Sequence, residues 1–285
     1  MPIKTTRTTT AAKTSLSRMA KLKAATSSFL KRTGNDLQPV RKNSWTMVSI
    51  VLIIVIAQLT LLWRPIVGVY FNAAALALLV GLALWREKIR QLAISVAIIP
   101  VSTMIVLSLP QTTTFAREVV FYAALLLLGL IYRFMFSLEF PLGFTKLNLK
   151  GYAFTLPLMA VVGEILGVIG YGMLRHHYIF GTTSLPLVAA TVVVFALAEE
   201  TLFRGLIQQR AAQVMHPILA AILSTMLFTL TSINTMTVLA PLFSLILGTV
   251  LAYTYSKKQN LVLTSAINIA TKLTYIGLMA TFVFR

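Results

Sequence analysis

The sequence predicts an all-α protein, a polytopic bundle of eight or nine membrane-spanning helices with its N-terminus in the cytoplasm. Three observations predict it. Of 285 residues, 58% are hydrophobic and 11% charged, with a mean hydropathy of +0.85, more apolar surface than a water-soluble domain of this size needs. The apolar residues gather in windows of about 17–24, the length that crosses a bilayer core as helix. Lysines and arginines fall almost entirely between those windows, and unevenly.

The windows are Trp45–Trp63, Ile66–Trp85, Leu92–Leu109, Val119–Phe136, Tyr152–Leu174, Leu185–Phe203, Pro217–Ile233, Met236–Tyr255 and Leu261–Phe284. Trp45, Trp63 and Trp85 stand at window ends, as interfacial anchors do. With the N-terminus inside, the inner connections carry Arg86, Lys88, Arg90, Arg133, Lys146, Lys150, Arg204, Arg210, Lys257 and Lys258. The outer ones carry Arg64, Arg117, Arg175 and Arg285. That bias fixes the orientation. The count stays at eight or nine because Arg64-Pro65 could join a tight hairpin and the break at 232–236 is uncharged.

Residues 1–44 hold ten Lys/Arg and one acid, Asp36, among many Thr, Ser and Ala. This is a basic cytoplasmic tail, disordered by composition. Leu16, Met19, Leu22, Phe29 and Leu30 recur at roughly helical spacing between basic residues, so an amphipathic helix on an anionic leaflet and a solvated tail are both readings. The net charge of +18 points to anionic lipid as a partner, with no nucleic acid. The first apolar window starts too far in for a secretory signal. A bacterial plasma membrane is the expected location, with an organellar membrane as the minor alternative because the tail is basic, hydroxyl-rich and acid-poor. Residues 45–150 are read as N-terminal transmembrane helices and 151–285 as the domain that carries the chemistry.

That chemistry centres on Phe195-Ala-Leu-Ala-Glu-Glu-Thr-Leu-Phe-Arg204. Charge at the centre of a span costs about 2.5–3.5 kcal/mol on the insertion scale, so an intramembrane charge points to function. Glu200 and Arg204 are four apart and can pair on one helix face. Glu199 lies about 100° away around the helix and has no partner within the segment. Carboxylates in such unequal surroundings can be set to different protonation states, leaving one as a base. A helix that ends early, with all three residues among headgroups, is the bland alternative. Yet Glu199 follows about 14 apolar residues, where a span needs about 20.

Later windows add polar groups. Glu164 interrupts the fifth and reads equally as a hydrogen-bonding partner for a neighbouring helix or as a functional group. Asn268 and Lys272 are four apart in the last window, hence on one face. Lys272 lies eleven residues past Leu261 and thirteen before Arg285, too deep to snorkel easily, so it needs an acidic partner among Glu164, Glu199 and Glu200. No cysteine is present, and His176, His177 and His216 all lie outside the apolar windows.

Glu199-Glu200-x-x-x-Arg204 resembles the first motif of the CAAX-protease and bacteriocin-processing family (CPBP, or Abi), whose members are intramembrane endopeptidases. The second motif, Phe-x-x-x-His preceded by serine, is matched by Ser224-x-x-x-Phe228-x-x-x-Ser232. The third, His-x-x-x-Asn after a Gly/Tyr-rich span and a basic turn, is matched by Asn268-x-x-x-Lys272 after Gly248, Tyr253, Tyr255, Lys257, Lys258 and Asn260. The resemblance runs from about Leu185 to Lys272, with a weaker echo at Leu142-Gly143-Phe144.

The resemblance implies that a motif-one glutamate activates water, while the histidines and asparagine polarise substrate, form an oxyanion site or, in some accounts, hold metal. Here Ser232 and Asn268 replace the histidines and Lys272 replaces the asparagine. Without imidazole or thiolate a zinc site has too few ligands, so neither metal nor other cofactor is expected. Loss of one oxyanion donor costs about 10²–10³ in rate. Packed on Glu199 or Glu200, the Lys272 ammonium would hold the carboxylate ionised and make it a weak base.

The expectation is a catalytically impaired or inactive family member that binds a peptide or membrane-protein partner in the former catalytic cavity, in a bacteriocin-immunity or envelope-regulation role. The first alternative is an active endopeptidase processing CAAX-like or bacteriocin-type peptides, through a glutamate with Asn268 in place of histidine or through Ser232 as nucleophile and Lys272 as base. A transporter is the second.

Overall fold

A computed structural model describes residues 49, 52–61, 64–109, 114–136, 149–174, 184–231 and 239–283, all within one compact unit, Thr46–Arg285. The tail, Trp45, Trp63, Leu142–Phe144, His176, His177 and Ser232 lie outside the described residues. The described chain is helical throughout. Its order is α1 (Leu52–Leu61), α2 (Pro65–Trp85), a short 3₁₀ turn (Glu87–Ile89), α3 (Arg90–Ser108), α4 (Thr114–Met135), α5 (Leu149–Leu174) and α6 (Leu185–Glu200). A π-helical segment (Thr201–Gln208), α7 (Gln209–Val214), α8 (Pro217–Thr231), α9 (Leu239–Lys258) and α10 (Leu261–Val283) follow.

Seven of these stretches are long and apolar enough to cross a membrane, while Leu52–Leu61 and Pro217–Thr231 are shorter apolar helices. Large apolar side chains face outwards, Ile66, Leu84, Phe134 and Phe154 among them. Polar groups such as Gln58 and Asn72 are instead buried and bonded to each other across α1 and α2. That inversion suits a lipid surround, where unsatisfied polar groups are costly and side-chain hydrogen bonds join helices. The chain is a multi-pass membrane protein.

The sixth window does not end at Phe203. The helix runs on without a break from Leu185 to Val214, 30 residues, through the π-helical segment. At about 1.5 Å per residue this exceeds a ~30 Å hydrocarbon core. Glu199 is the fifteenth residue of these 30, at the middle of the helix. Arg204, Gln208 and Arg210 interrupt the apolar run and give it the look of an end. All three are buried against other helices instead of marking an end.

Two close helix approaches position the site. A Cβ on Gly163 would fall 2.4 Å from the Ile267 carbonyl oxygen of α10, and one on Gly167 would fall 2.7 Å from that of Thr271. Gly163-x-x-x-Gly167 thus lets the backbones of α5 and α10 touch, the small-residue packing that membrane helices use. The start of α10 is set by Asn260, whose Oδ1 accepts the amides of Val262 and Leu263 while its amide donates to Tyr152. Just before it, Gln259 takes a left-handed φ of 45° to reverse the chain out of α9.

Candidate functional site

The π-helical segment follows directly on Glu199-Glu200. Such wide turns are rare and free carbonyls from the i→i−4 pattern. The Phe203 carbonyl is taken by Ser224 Oγ of α8 at 2.7 Å. On the α9 side, Arg204 Nη2 donates to Gly248 O at 3.1 Å, and Gln208 Nε2 donates to Ala252 O at 3.0 Å and to Ser256 Oγ at 2.9 Å. Residues four apart on one helix thereby meet positions four apart on the next. Thr225 Oγ1 shares the Gly248 carbonyl at 3.2 Å. A Cβ on Gly248 would meet the Phe228 ring at 3.0 Å, so the absent side chain permits the approach.

Phe228 lies under the Arg204 guanidinium, 4.9 Å from ring centroid to Cζ, and packs edge-on against Phe203. Cation–π contact, the Gly248 carbonyl and the Glu200 carboxylate, 3.8 Å from Nε, together hold a fully buried arginine. Ser224, Phe228 and Arg204 are thus one packed unit. Ser232 lies outside the described residues, one position beyond Thr231, which lines the cavity described below.

Glu199 is the hub. Its Oε1 accepts from Tyr122 Oη at 2.7 Å and from Lys272 Nζ at 2.8 Å, and its Oε2 accepts from Asn268 Nδ2 at 2.9 Å. Asn268 Nδ2 also reaches Glu200 Oε1 at 3.1 Å, bridging the two carboxylates. The acidic partner of Lys272 is therefore Glu199. Two carboxylates, one ammonium and one guanidinium balance in charge, drawn from α6, the π-helical segment and α10; Glu199, Glu200 and Arg204 are buried and Lys272 is partly exposed on the cavity. Glu164 stays exposed on α5 and is not part of it.

Beside Glu199 and Lys272 lies a cavity of about 150 Å³, walled by Tyr122, Phe228, Phe243, Leu247 and Tyr275 and touched by Ser244 and Thr271. It is polar at the Glu199–Lys272 edge and apolar elsewhere, with room for a few waters or one side chain.

Two residues escaped the sequence reading, both on α4. Tyr122 stacks on Phe195 with centroids 4.2 Å apart, and the Lys272 ammonium lies 5.5 Å from its ring centroid. Glu118, one turn earlier on α4, is close enough to Lys272 and Glu199 to interact electrostatically. It is therefore a further acid near the site beside Glu199 and Glu200. The signal was the i, i+4 spacing of Glu118 and Tyr122, obscured because the window was started at Val119.

Residues 181–274 match the family model of Rce1-like proteins, described as type II CAAX prenyl endopeptidase Rce1-like. The chain carries an Rce1-like segment. It runs from α6 into α10 and closes two residues past Lys272, so it holds the motif residues Glu199, Glu200, Arg204, Asn268 and Lys272 but neither the α4 residues nor Tyr275 of the cavity wall. The resemblance to the CAAX-protease family rests on this segment. No curated protein and no solved structure matches the chain.

A metal does not fit the residues present. Among the described residues no group of three His, Cys, Asp or Glu side chains is placed to hold one. Each motif carboxylate already has a cation beside it, Lys272 on Glu199 and Arg204 on Glu200, and a metal ion would meet like charge there.

Proposed function

We propose that the Rce1-like segment is a binding module rather than a working endopeptidase. In this reading it holds a peptide or membrane-protein segment against the cavity beside Glu199, with catalysis impaired by the Lys272–Glu199 pair. The observation that carries the reading is the engagement of both Glu199 oxygens, which together take three of the about four donors a carboxylate accepts. A general base must present a free, basic oxygen to the water it activates. Oε1 of Glu199 already takes two donors, one of them an ammonium at 2.8 Å, and Oε2 takes Asn268.

The apolar walls fit a hydrophobic side chain of the bound segment, and the Glu199–Lys272 edge fits a backbone amide or carbonyl. Bacteriocin immunity or regulation of an envelope enzyme, from a bacterial plasma membrane with the N-terminus inside, are the roles such a module would serve. The alternative is a glutamate-dependent endopeptidase in which Asn268 stands where the family has histidine. It is favoured by the direct contact of Glu199 with a cavity that can hold water.

Binding tests the proposal. The full chain in lipid nanodiscs is titrated with fluorescent hydrophobic peptides, prenylated and not, beside a Leu247→Trp variant that fills the cavity. Saturable binding of intact peptide to wild type, lost in Leu247→Trp, is the expected result. Peptide cleavage, or binding that Leu247→Trp leaves unchanged, would overturn it.

A further inference from the structure

A second cavity, of about 370 Å³, lies where the ends of four spans converge: the junction of α2 and α3, the end of α4, and α7. Lys88, Arg90 and Arg210 line it together with Gln91 and Gln213, against a single acid, Glu87. Three cations from two separate parts of the chain thus face one space.

Basic residues at span ends are ordinary, and an exposed pair there would signify only orientation. Arg210 is not of that kind. It is 8% exposed, its Nη1 donates to Gln213 Oε1 at 3.1 Å, and its Nε is buried with no hydrogen-bond partner. A buried guanidinium N–H without an acceptor is costly and asks for one. Arg90, exposed on the other wall, is anchored by Nε donation to Ala83 O at 3.1 Å and lines the same space. Trp85, almost fully exposed, stands one turn from Lys88 and marks the depth at which headgroups lie.

We infer that this cavity is an anion site for a phosphate group, carried by an anionic lipid headgroup or free in solution. Guanidinium forks match phosphate oxygens bidentately, and Lys88 adds a mobile point charge at the mouth. The glutamines supply neutral donors, and the three cations outweigh the one acid, Glu87, so the lining stays net positive. This site is separate from the one around Glu199 and does not depend on the reading given to it.

The test uses the full chain in nanodiscs of phosphatidylcholine alone, phosphatidylcholine with phosphatidylglycerol, and phosphatidylcholine with added inorganic phosphate. Thermal midpoints are read for wild type, Arg210→Gln and Lys88→Gln. Lys88 is exposed, so its variant carries the test if Arg210→Gln fails to fold. The basic tail is the same in every variant and its lipid binding cancels. The wild type is expected to gain stability with phosphatidylglycerol, with half-maximal effect shifted about tenfold in Lys88→Gln, as loss of one charge-assisted contact implies. A gain with phosphatidylglycerol alone assigns the site to lipid; an equal gain with inorganic phosphate assigns it to a soluble phosphate. No gain in either, or the same gain in wild type and Lys88→Gln, overturns the inference.

Discussion

Lys272 Nζ on α10 lies 2.8 Å from Glu199 Oε1 on α6, and this contact joins residues 73 apart in the chain at mid-span. A lone ammonium at that depth is costly, and so is a lone carboxylate. Each therefore sets the position of the other. Breaking a buried pair from one side leaves an uncompensated charge and costs about 3–5 kcal/mol. Lys272→Asp, which adds a like charge, should lower the thermal midpoint more than Lys272→Met. The double variant Lys272→Asp/Glu199→Lys should recover part of the loss. Equal midpoints for Lys272→Asp and wild type would remove the pair from the account.

Tyr122 donates to Glu199 from outside the Rce1-like segment. Tyr122→Phe keeps the stack on Phe195 and deletes one donor to Glu199. A hydrogen bond to a charged group contributes about 1.5–3 kcal/mol, but interhelical bonds in membranes average nearer 0.6. A loss of about 1 kcal/mol is expected, read as a lowered midpoint. That loss should vanish in a Glu199→Gln/Lys272→Met background, where the acceptor charge is gone.

Arg204 is held by shape as well as charge. Arg204→Lys keeps the charge but loses the donor to Gly248 and the guanidinium contact over Phe228. It should stay less stable than wild type but lose less than Arg204→Met, which leaves Glu200 uncompensated at a cost of about 3–5 kcal/mol. Full rescue by lysine would show that charge alone matters.

The closeness of α5 to α10 makes a fourth expectation. Gly167→Leu puts a side chain where a Cβ is already 2.6 Å from Thr274 Cβ and 2.7 Å from a backbone oxygen. The helices must separate, carrying Asn268 and Lys272 away from Glu199. Low yield of folded protein and loss of the crosslink that a short bifunctional thiol reagent makes in a Lys272→Cys/Glu199→Cys background with Gly167 intact are the readouts. Gly172→Leu, where a Cβ meets nothing, should leave both unchanged.

Much of this was legible in the residues. Apolar windows gave the bundle, and Glu199, Glu200, Arg204, Asn268 and Lys272 were found because charge and amide groups are anomalous inside a span. Their four-residue spacings placed Arg204 beside Glu200, and Asn268 with Lys272, on common faces. What sequence could not supply was contact between helices far apart in the chain. Tyr122 looks like any interfacial aromatic until α4 is packed on α6. Arg204 and Arg210 look like the end of a span until α8 and α9 cover the π-helical segment. Gly163 and Gly167 pass as ordinary membrane-helix glycines until α10 lies across them.

The central claim is that Glu199 is held and does not activate water. The most direct measurement is peptide-bond cleavage by the purified full chain, on a panel of membrane proteins and hydrophobic peptides, beside Glu199→Ala and Ser232→His/Asn268→His. The account predicts no cleavage by wild type above the Glu199→Ala background. Wild-type cleavage abolished by Glu199→Ala would contradict it, and would make this site a glutamate-dependent endopeptidase despite Lys272.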